Sequence, residues 1–202
     1  MKKIIFATGN EGKMVEIRDI LADCGYEIIT MKQAGIDLDI FEYGLTFEGN
    51  AKIKAKAIAA CPEAEGCIVL ADDSGLEIDY LDKNPGIFSA RWPSEELSND
   101  YDAKNSMIIE ELKGVPTEKR TARYVCAVAA AFPDGRVEVR RGTVEGIIAE
   151  EIVDKSLWKT GFGFDPIFYV PEYGKTTAEM EPEEKNNMSH RGNALRAIKE
   201  II

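Results

Sequence analysis

The hydrophobic pattern of the chain centres on an unbroken apolar run from Cys67 to Ala71. Because the run is short and bounded, it predicts a strand buried on both faces rather than a helix. It stops at Asp72-Asp73-Ser74-Gly75, which predicts two carboxylates where a core strand leaves the sheet, the edge at which open α/β sheets bind ligands. Adjacent carboxylates beside an apolar core raise each other's pKa unless a cation lies between them, and a divalent metal holding a phosphate would serve. An ordinary acidic turn explains these four residues equally well.

Strands and helices are predicted to alternate around this run. Lys3 to Ala7 predicts a first strand, and an amphipathic helix follows from about Glu11 to Ala22. A second short strand and a loop fall within Tyr26 to Ile40. Thr46 is a candidate N-cap for a helix that continues to about Ala60. The alternation of Leu76, Ile78 and Tyr80 with acidic residues predicts a separate, half-exposed extended segment.

The second half of the chain begins with a helix predicted near Ala103 to Leu112. Two β-rich stretches, Thr121 to Phe132 and Arg136 to Ile148, are joined by Pro133-Asp134-Gly135 and predict a long hairpin. Alternating strands and helices followed by a hairpin predict an α/β fold with a mixed sheet. We expect one folding unit over residues 1–202, with two lobes and a cleft.

Composition excludes several classes of function. A chain of 202 residues with a net charge of −11 is not expected to bind nucleic acid or an anionic membrane in bulk. The apolar stretch at the N-terminus is too short for a signal peptide, and no later run is long enough to span a bilayer. Four cysteines without CxxC spacing and a single histidine make a zinc site improbable. The cysteines are therefore expected to be free thiols in a reducing cytosol.

A candidate phosphate site lies at the start of the first helix. Thr8-Gly9-Asn10 follows the first strand, and a glycine turn before a helix presents free N–H groups to an anion. Lys13 falls in the first turn, where the helix dipole disfavours a cation, and a bound anion would explain it. A solvated lysine beside an ordinary cap remains the alternative. In the second helix Lys54 points away from the face that Lys52 and Lys56 share, and it too is either solvated or turned toward a phosphate.

The last third of the chain predicts a site for a planar ring. Gly161-Phe162-Gly163-Phe164-Asp165-Pro166 places aromatic side chains on a glycine frame that suits base stacking. Ser189 is a candidate N-cap for the terminal helix, and His190 and Arg191 then occupy its first turn. Such a pair can read carbonyl groups, although an exposed His-Arg pair without a function fits the same pattern.

Taken together, these motifs resemble the inosine triphosphate pyrophosphatase family, whose members hydrolyse nonstandard purine nucleoside triphosphates. The resemblance covers nearly the whole chain, with its motifs in the family's order. The matching segments are ATGNEGKMVEI, the E-x-G-L-T-F-x-x-N-A-x-x-K-A pattern from Glu42 to Ala55, ADDSGLEID, PGIFSARW, GFGFDPIF, and KTTAEM with EEKNNMSHRGNA. One departure is Trp158-Lys159-Thr160, where the family commonly has a more glycine-rich stretch.

The resemblance implies roles for particular residues. The triphosphate would be held by Thr8, Gly9, Asn10 and Lys13, with Lys54 assisting. Mg²⁺ would be bound by Glu42, Asp72 and Asp73, with Asp73 also the general base and Ser74 in contact with substrate. The nucleoside side would comprise Phe162, Gly163, Phe164, Asp165, Lys185, His190 and Arg191. The family also implies a homodimer with an elongated mixed sheet flanked by helices, and an active site between two lobes.

The reaction so implied is hydrolysis of ITP, dITP or XTP to the monophosphate and pyrophosphate, which removes these nucleotides from the pool. Three rival interpretations remain. A metal phosphatase acting on phosphomonoesters is weakened by the lack of a DxD spacing. A nucleotide sensor would have little need for three carboxylates. A calcium-binding module does not fit, because residues 72–77 lack the alternating ligands of an EF-hand loop.

Overall fold

The structure, a computed structural model, describes residues 2–8, 11–98, 100–161 and 163–202, with the backbone alone for Glu11 and Gly12. Its strands are β1 Lys3–Phe6, β2 Glu27–Thr30, β3 Ile68–Ile78, β4 Thr121–Ala131, β5 Val137–Ile148, β6 Phe168–Val170 and β7 Lys175–Thr176. Its α-helices are α1 Glu11–Ile20, α2 Phe47–Ala59, α3 Tyr101–Glu111, α4 Pro182–Met188 and α5 His190–Lys199.

The strands form one mixed sheet in the order β2-β1-β3-β4-β5-β6-β7. β1 pairs in parallel with both β2 and β3. β6 pairs antiparallel with both β5 and β7. The predicted α/β fold with a mixed sheet is therefore confirmed, as are the first strand, the first three helices and the hairpin strands. The prediction missed β6, β7 and α4, because the first two are very short and the third has no apolar periodicity.

The prediction that the buried strand ends at Asp72 is wrong. β3 continues through the acidic residues to Ile78 and so joins two segments that were predicted separately. Asp, Ser and Gly favour turns by local hydrogen bonding, but here both carboxylates are buried and reach basic side chains from other elements. Tertiary ion pairs override the local turn preference.

The chain divides into two compact units. Unit 1 comprises Met1–Ser74, Cys126–Gly142 and His190–Ile202, and unit 2 comprises Gly75–Val125 and Thr143–Ser189. β3, β4 and β5 contribute residues to both units. The expectations of a cleft between two lobes and of one functional domain over 1–202 stay predictions.

Each unit has its own apolar core. In unit 1 Met14 and Ile17 of α1, the helix predicted to be amphipathic, pack with Ala194, Leu195 and Ile198 of α5. The core of unit 2 includes the following side chains: Leu76, Ile78, Ile108, Tyr124, Phe164, Phe168 and Met180. Within the described residues, no helix has the length and apolar content needed to cross a membrane. The four cysteines are all free thiols, as predicted.

Candidate active site

The two adjacent aspartates of β3 belong to different ion clusters. Consecutive residues of a strand point to opposite faces, so Asp72 and Asp73 make their ion pairs with different side chains. Their side chains are nonetheless both buried, with residue exposures of 2% and 8%. A buried carboxylate must find cations or hydrogen-bond donors, and each aspartate finds its own within unit 1.

Asp72 is held between two basic side chains. Lys13 of α1 donates from Nζ to Oδ2 over 3.0 Å, and Arg191 of α5 places Nε 3.5 Å from the same oxygen. Arg191 also donates from Nη1 to Glu16 over 2.8 Å. Burial alone would raise the pKa of Asp72, but Lys13, Arg191 and Lys54 outweigh it and hold that pKa well below its usual range. Asp72 is thus an anion at any physiological pH.

Asp73 shares its cation with Glu42. Lys54 Nζ lies 3.1 Å from Glu42 Oε1 and 3.5 Å from Asp73 Oδ1. Burial raises the pKa of Asp73 to about 6, with Lys54 opposing that effect and Glu42 adding to it. Burial would lower the pKa of Lys54, but the surrounding carboxylates raise it instead. Lys54 therefore stays charged. Its Nζ lies between Glu42 and Asp73, and the same two carboxylates would also attract a metal cation.

Helix α2 and the segment before it place this cluster. The Thr46 hydroxyl accepts the Gly49 N–H over 3.0 Å, which confirms the predicted N-cap and starts the helix. Lys54 falls on the inner side of α2, whereas Lys52 and Lys56 are exposed, as predicted. Glu42 comes from the irregular segment immediately before the cap, so cap and helix together set the distance between Glu42 and Lys54.

Glu42 and Asp73 can bind a divalent cation together with a substrate, although they do not form a complete metal site by themselves. In the described part of the chain, no three His, Cys, Asp or Glu side chains form a ready metal site. Magnesium, however, is usually bound by one or two carboxylates together with substrate phosphates. Glu42 Oε1 and Asp73 Oδ1 already converge on one cation, Lys54 Nζ, while Asp73 Oδ2 is buried and has no hydrogen-bond donor among the described residues. The role of Asp72 as a metal ligand stays a prediction, since its carboxylate pairs with Lys13 and Arg191.

Asp165 is the centre of a second buried polar cluster, in unit 2. Its Oδ2 accepts from Lys185 Nζ over 2.5 Å, and its Oδ1 accepts from the Thr177 hydroxyl over 2.8 Å. The Tyr124 hydroxyl lies 3.4 Å from the same Oδ1, and burial raises its pKa well above the usual value. The structure thus brings two predicted nucleoside-side residues, Asp165 and Lys185, into direct contact.

Of the two aromatic residues of the glycine loop, the structure describes Phe164. Phe164 is 3% exposed and packs edge-on against Tyr101, with ring centroids 5.3 Å apart. Its ring therefore belongs to the core and has no open face for a base. Gly163 adopts φ +67°, and its carbonyl accepts from Asn105 Nδ2 over 3.1 Å. Phe162 lies outside the described residues, so base stacking by Phe162 stays a prediction.

The departure at Trp158-Lys159-Thr160 has a structural account. The indole of Trp158 donates to the Val153 carbonyl and covers Gly161, where a Cβ would lie only 2.3 Å from the ring. The backbone N–H groups of Lys159 and Thr160 both donate to the Ala178 carbonyl. Hydrogen bonds and one large ring thus hold this stretch, and glycine is required only at the position beneath the indole.

The remaining predicted residues are placed as follows. Thr8 is buried and follows β1, and its N–H donates to the Phe6 carbonyl over 2.8 Å. Ser74 is half-buried on β3, and His190 is the first residue of α5, which puts Ser189 at the predicted cap position. Gly9 and Asn10, like Phe162, lie outside the described residues.

The sequence reasoning missed several residues of these clusters. Glu16 pairs with Arg191, and it is three residues from Lys13 on α1, a spacing that places both on one helix face. Asn50 lies four residues before Lys54 on α2 and so shares its face. Thr177 and Tyr124 carried no comparable signal, since they reach Asp165 only through the tertiary fold.

Fold and clusters define an α/β protein in which buried acidic side chains on and beside a central strand pair with lysine and arginine. More narrowly, the chain belongs to the Ham1 family, whose model matches residues 4–201. It is 46% identical over 199 residues to the dITP/XTP pyrophosphatase of Halalkalibacterium halodurans, covering 98% of this chain and 97% of that one. It is 43% identical over 202 residues to the dITP/XTP pyrophosphatase of Bacillus subtilis, covering 100% and 98%.

Solved structures agree with this assignment. The Ham1 protein of Staphylococcus aureus superposes with a TM-score of 0.84 at 38% identity, covering 98% of this chain and 97% of that one. The HAM1 protein of Coxiella burnetii superposes with a TM-score of 0.85 at 37% identity, covering 100% and 98%. The relatives carry the activity that the sequence motifs implied, so the predicted resemblance is confirmed.

Proposed function

We propose that this chain hydrolyses the nonstandard purine nucleoside triphosphates ITP, dITP and XTP to the monophosphate and pyrophosphate. The observation that carries the proposal is the set of paired charges around β3, with Lys13 and Arg191 on Asp72 and with Lys54 on Asp73 and Glu42. Relatives that match over nearly their full length are dITP/XTP pyrophosphatases, which supports this substrate class.

The phosphates are assigned to unit 1. Lys13 and Lys54 supply the positive charge, and Thr8, Gly9 and Asn10 supply hydroxyl, amide and backbone donors. Glu42 and Asp73 would hold Mg²⁺, with Asp72 the further ligand that the resemblance implies. When bound, the metal neutralises phosphate charge and orients the leaving pyrophosphate. Lys54 already touches both carboxylates, so it can move between them and a phosphate oxygen without leaving the cluster.

Asp73 is assigned the role of general base. Its buried Oδ2 has no donor among the described residues and can accept a proton from the water that attacks the α-phosphorus. Asp72 cannot replace it, because Lys13 and Arg191 already engage that carboxylate. No covalent intermediate is required, since positioning and charge neutralisation dominate catalysis of phosphoryl transfer.

Nucleoside recognition is assigned to Phe162, Gly163, Asp165, Lys185, His190 and Arg191, with Ser74 in contact with substrate and Phe164 supporting the loop from the core. Hypoxanthine and xanthine carry a carbonyl at the 6-position, where adenine carries an amino group. Donors from His190, Arg191 or the backbone would pair with that carbonyl. Two of the Arg191 nitrogens already contact Glu16 and Asp72, which orients the guanidinium.

Incubation with ITP and Mg²⁺ is expected to yield the monophosphate and pyrophosphate, with ITP preferred over ATP by on the order of a hundredfold. The preference arises because adenine would leave buried donors unpaired, at about 1–3 kcal/mol each. Product analysis by ion-exchange chromatography with ITP, XTP, GTP and ATP measures the identity of the products and the preference among the four substrates. Release of inorganic phosphate would indicate a phosphomonoesterase, and tight binding without turnover would indicate a sensor. A preference for ATP would refute the proposed selectivity.

The protein is further proposed to act as a homodimer in the cytoplasm. Three large apolar side chains, Phe41, Tyr43 and Leu45, are 82%, 70% and 91% exposed on the segment that carries Glu42. Such a run of exposed apolar residues is typical of an interaction surface, and a second copy of this chain is the occupant that the resemblance implies. The four free thiols suit a reducing compartment.

The dimer is expected to dissociate when Phe41 and Leu45 are both replaced by Ser, because the apolar contact is lost. Light scattering coupled to size-exclusion chromatography gives the mass of each variant. Leu157→Ser is the matched control, since Leu157 is an exposed leucine outside that segment. A monomeric wild type, or a double variant that stays dimeric, would contradict the proposal.

A further inference from the structure

Asn50 connects the Glu42 segment to helix α2. Its side chain is fully buried, and its Oδ1 accepts the N–H of Gly44 over 2.8 Å. A Cβ at Gly44 would lie 2.5 Å from that Oδ1 and 2.9 Å from the Asn50 backbone nitrogen. The segment therefore passes directly against Asn50, and only glycine allows this approach. Glu42 is two residues away, so its position depends on this contact.

The other end of the Asn50 side chain makes no comparable contact. Nδ2 is buried and has no hydrogen-bond partner among the described residues. Leaving a buried amide donor unsatisfied costs about 1–3 kcal/mol. Among these residues, the Gly44 N–H is therefore the group that the Asn50 side chain holds.

Asn50 and Lys54 act from one face of α2. They are separated by four residues, which places them one above the other on a helix. Lys54 contacts both Glu42 and Asp73, and Asn50 holds the segment of Glu42 through Gly44. The lysine supplies charge, whereas the asparagine fixes the backbone, because its Oδ1 accepts one defined N–H.

We propose that Asn50 is a positioning residue that fixes Glu42 through Gly44. The inference rests on the proposed function, since Glu42 is assigned there to Mg²⁺. Asn50 touches neither substrate nor reacting atoms in this role. A role confined to the stability of α2 would leave magnesium affinity unchanged.

The test replaces Asn50 by Leu, which keeps the volume but removes both polar ends, with Asn50→Ala as a smaller second variant. Magnesium affinity is measured by calorimetry with Mg²⁺ alone, without nucleotide. We expect affinity to fall by about 10–100-fold, as is usual when a group that orients metal ligands is lost. Thr46→Ala is the matched control, because it removes the cap at the start of the same helix, worth about 1 kcal/mol, and removes neither partner of the bond between Gly44 and Asn50.

Turnover of ITP supplies a second readout. Asn50→Ala is expected to lower kcat about tenfold or more in the wild-type background and to add no further loss when Glu42 is already Gln, because Asn50 acts through Glu42. Three results would overturn the inference. Magnesium affinity could stay within about twofold of wild type in both Asn50 variants, Thr46→Ala could lose as much affinity, or the losses in kcat could be additive. A wild-type chain that hydrolyses no ITP would instead refute the proposed function.

Discussion

Replacement of Asp73 by Asn is expected to lower the turnover of ITP by about 10²–10⁴-fold. Asn keeps the shape of the side chain and removes the oxygen that accepts the proton from water. The loss should appear in kcat under saturating Mg²⁺ and ITP, measured as pyrophosphate released. Because Asp73 Oδ2 has no other donor among the described residues, no nearby protein contact is broken by the change at that atom.

The control for this variant is Asp134→Asn, which neutralises an exposed carboxylate on the β4–β5 turn. It should turn over ITP at the wild-type rate, which shows that net charge alone does not explain the effect. Activity of Asp73→Asn close to wild type would end the assignment of Asp73 as general base. Thermal unfolding of the same sample establishes that the variant is folded.

Replacement of Asp72 by Asn is expected to lower the free energy of unfolding of the metal-free protein by about 3–5 kcal/mol at pH 7. The reason is that Lys13 and Arg191 lose the buried carboxylate between them, and uncompensated buried charges cost about this much. The melting temperature should fall on the order of 10 °C. Thermal unfolding in EDTA measures the change.

Asp73→Asn is the matched comparison and is expected to change stability in the opposite direction. Its folded-state pKa of about 6 lies above the ordinary value of 3.8, so the ionised carboxylate destabilises the fold by up to about 3 kcal/mol at pH 7. That cost appears as pH rises from about 4 to about 6. The stabilisation by Asp72 has the opposite dependence, because its lowered pKa means that it is lost as pH falls below about 4. If both variants change the melting temperature in one direction, the two environments have been assigned wrongly.

Local signals in the chain were enough for most elements and for the family. The apolar face of α1, the Thr46 cap and the two hairpin strands are short-range features, and each depends on periodicity or on one side chain and its nearest backbone. The ordered motifs identified the family for the same reason, since they compare residues along the chain and need no knowledge of contacts. β6, β7 and α4 were not predicted, because they contain too few residues to show a hydrophobic period.

Contacts between distant parts of the chain decided how the acidic pair is used. Asp72 and Asp73 are neighbours in sequence, and local propensity predicted a turn with both carboxylates on one ligand. In the folded chain β3 continues through them, one carboxylate pairs with Lys13 and Arg191, and the other with Lys54. The sequence by itself determined the residue types, the helices that carry the lysines and the class of chemistry. Only the tertiary structure assigned each partner, because the energy of a buried charge depends on which cations lie within a few ångströms, at any separation along the chain.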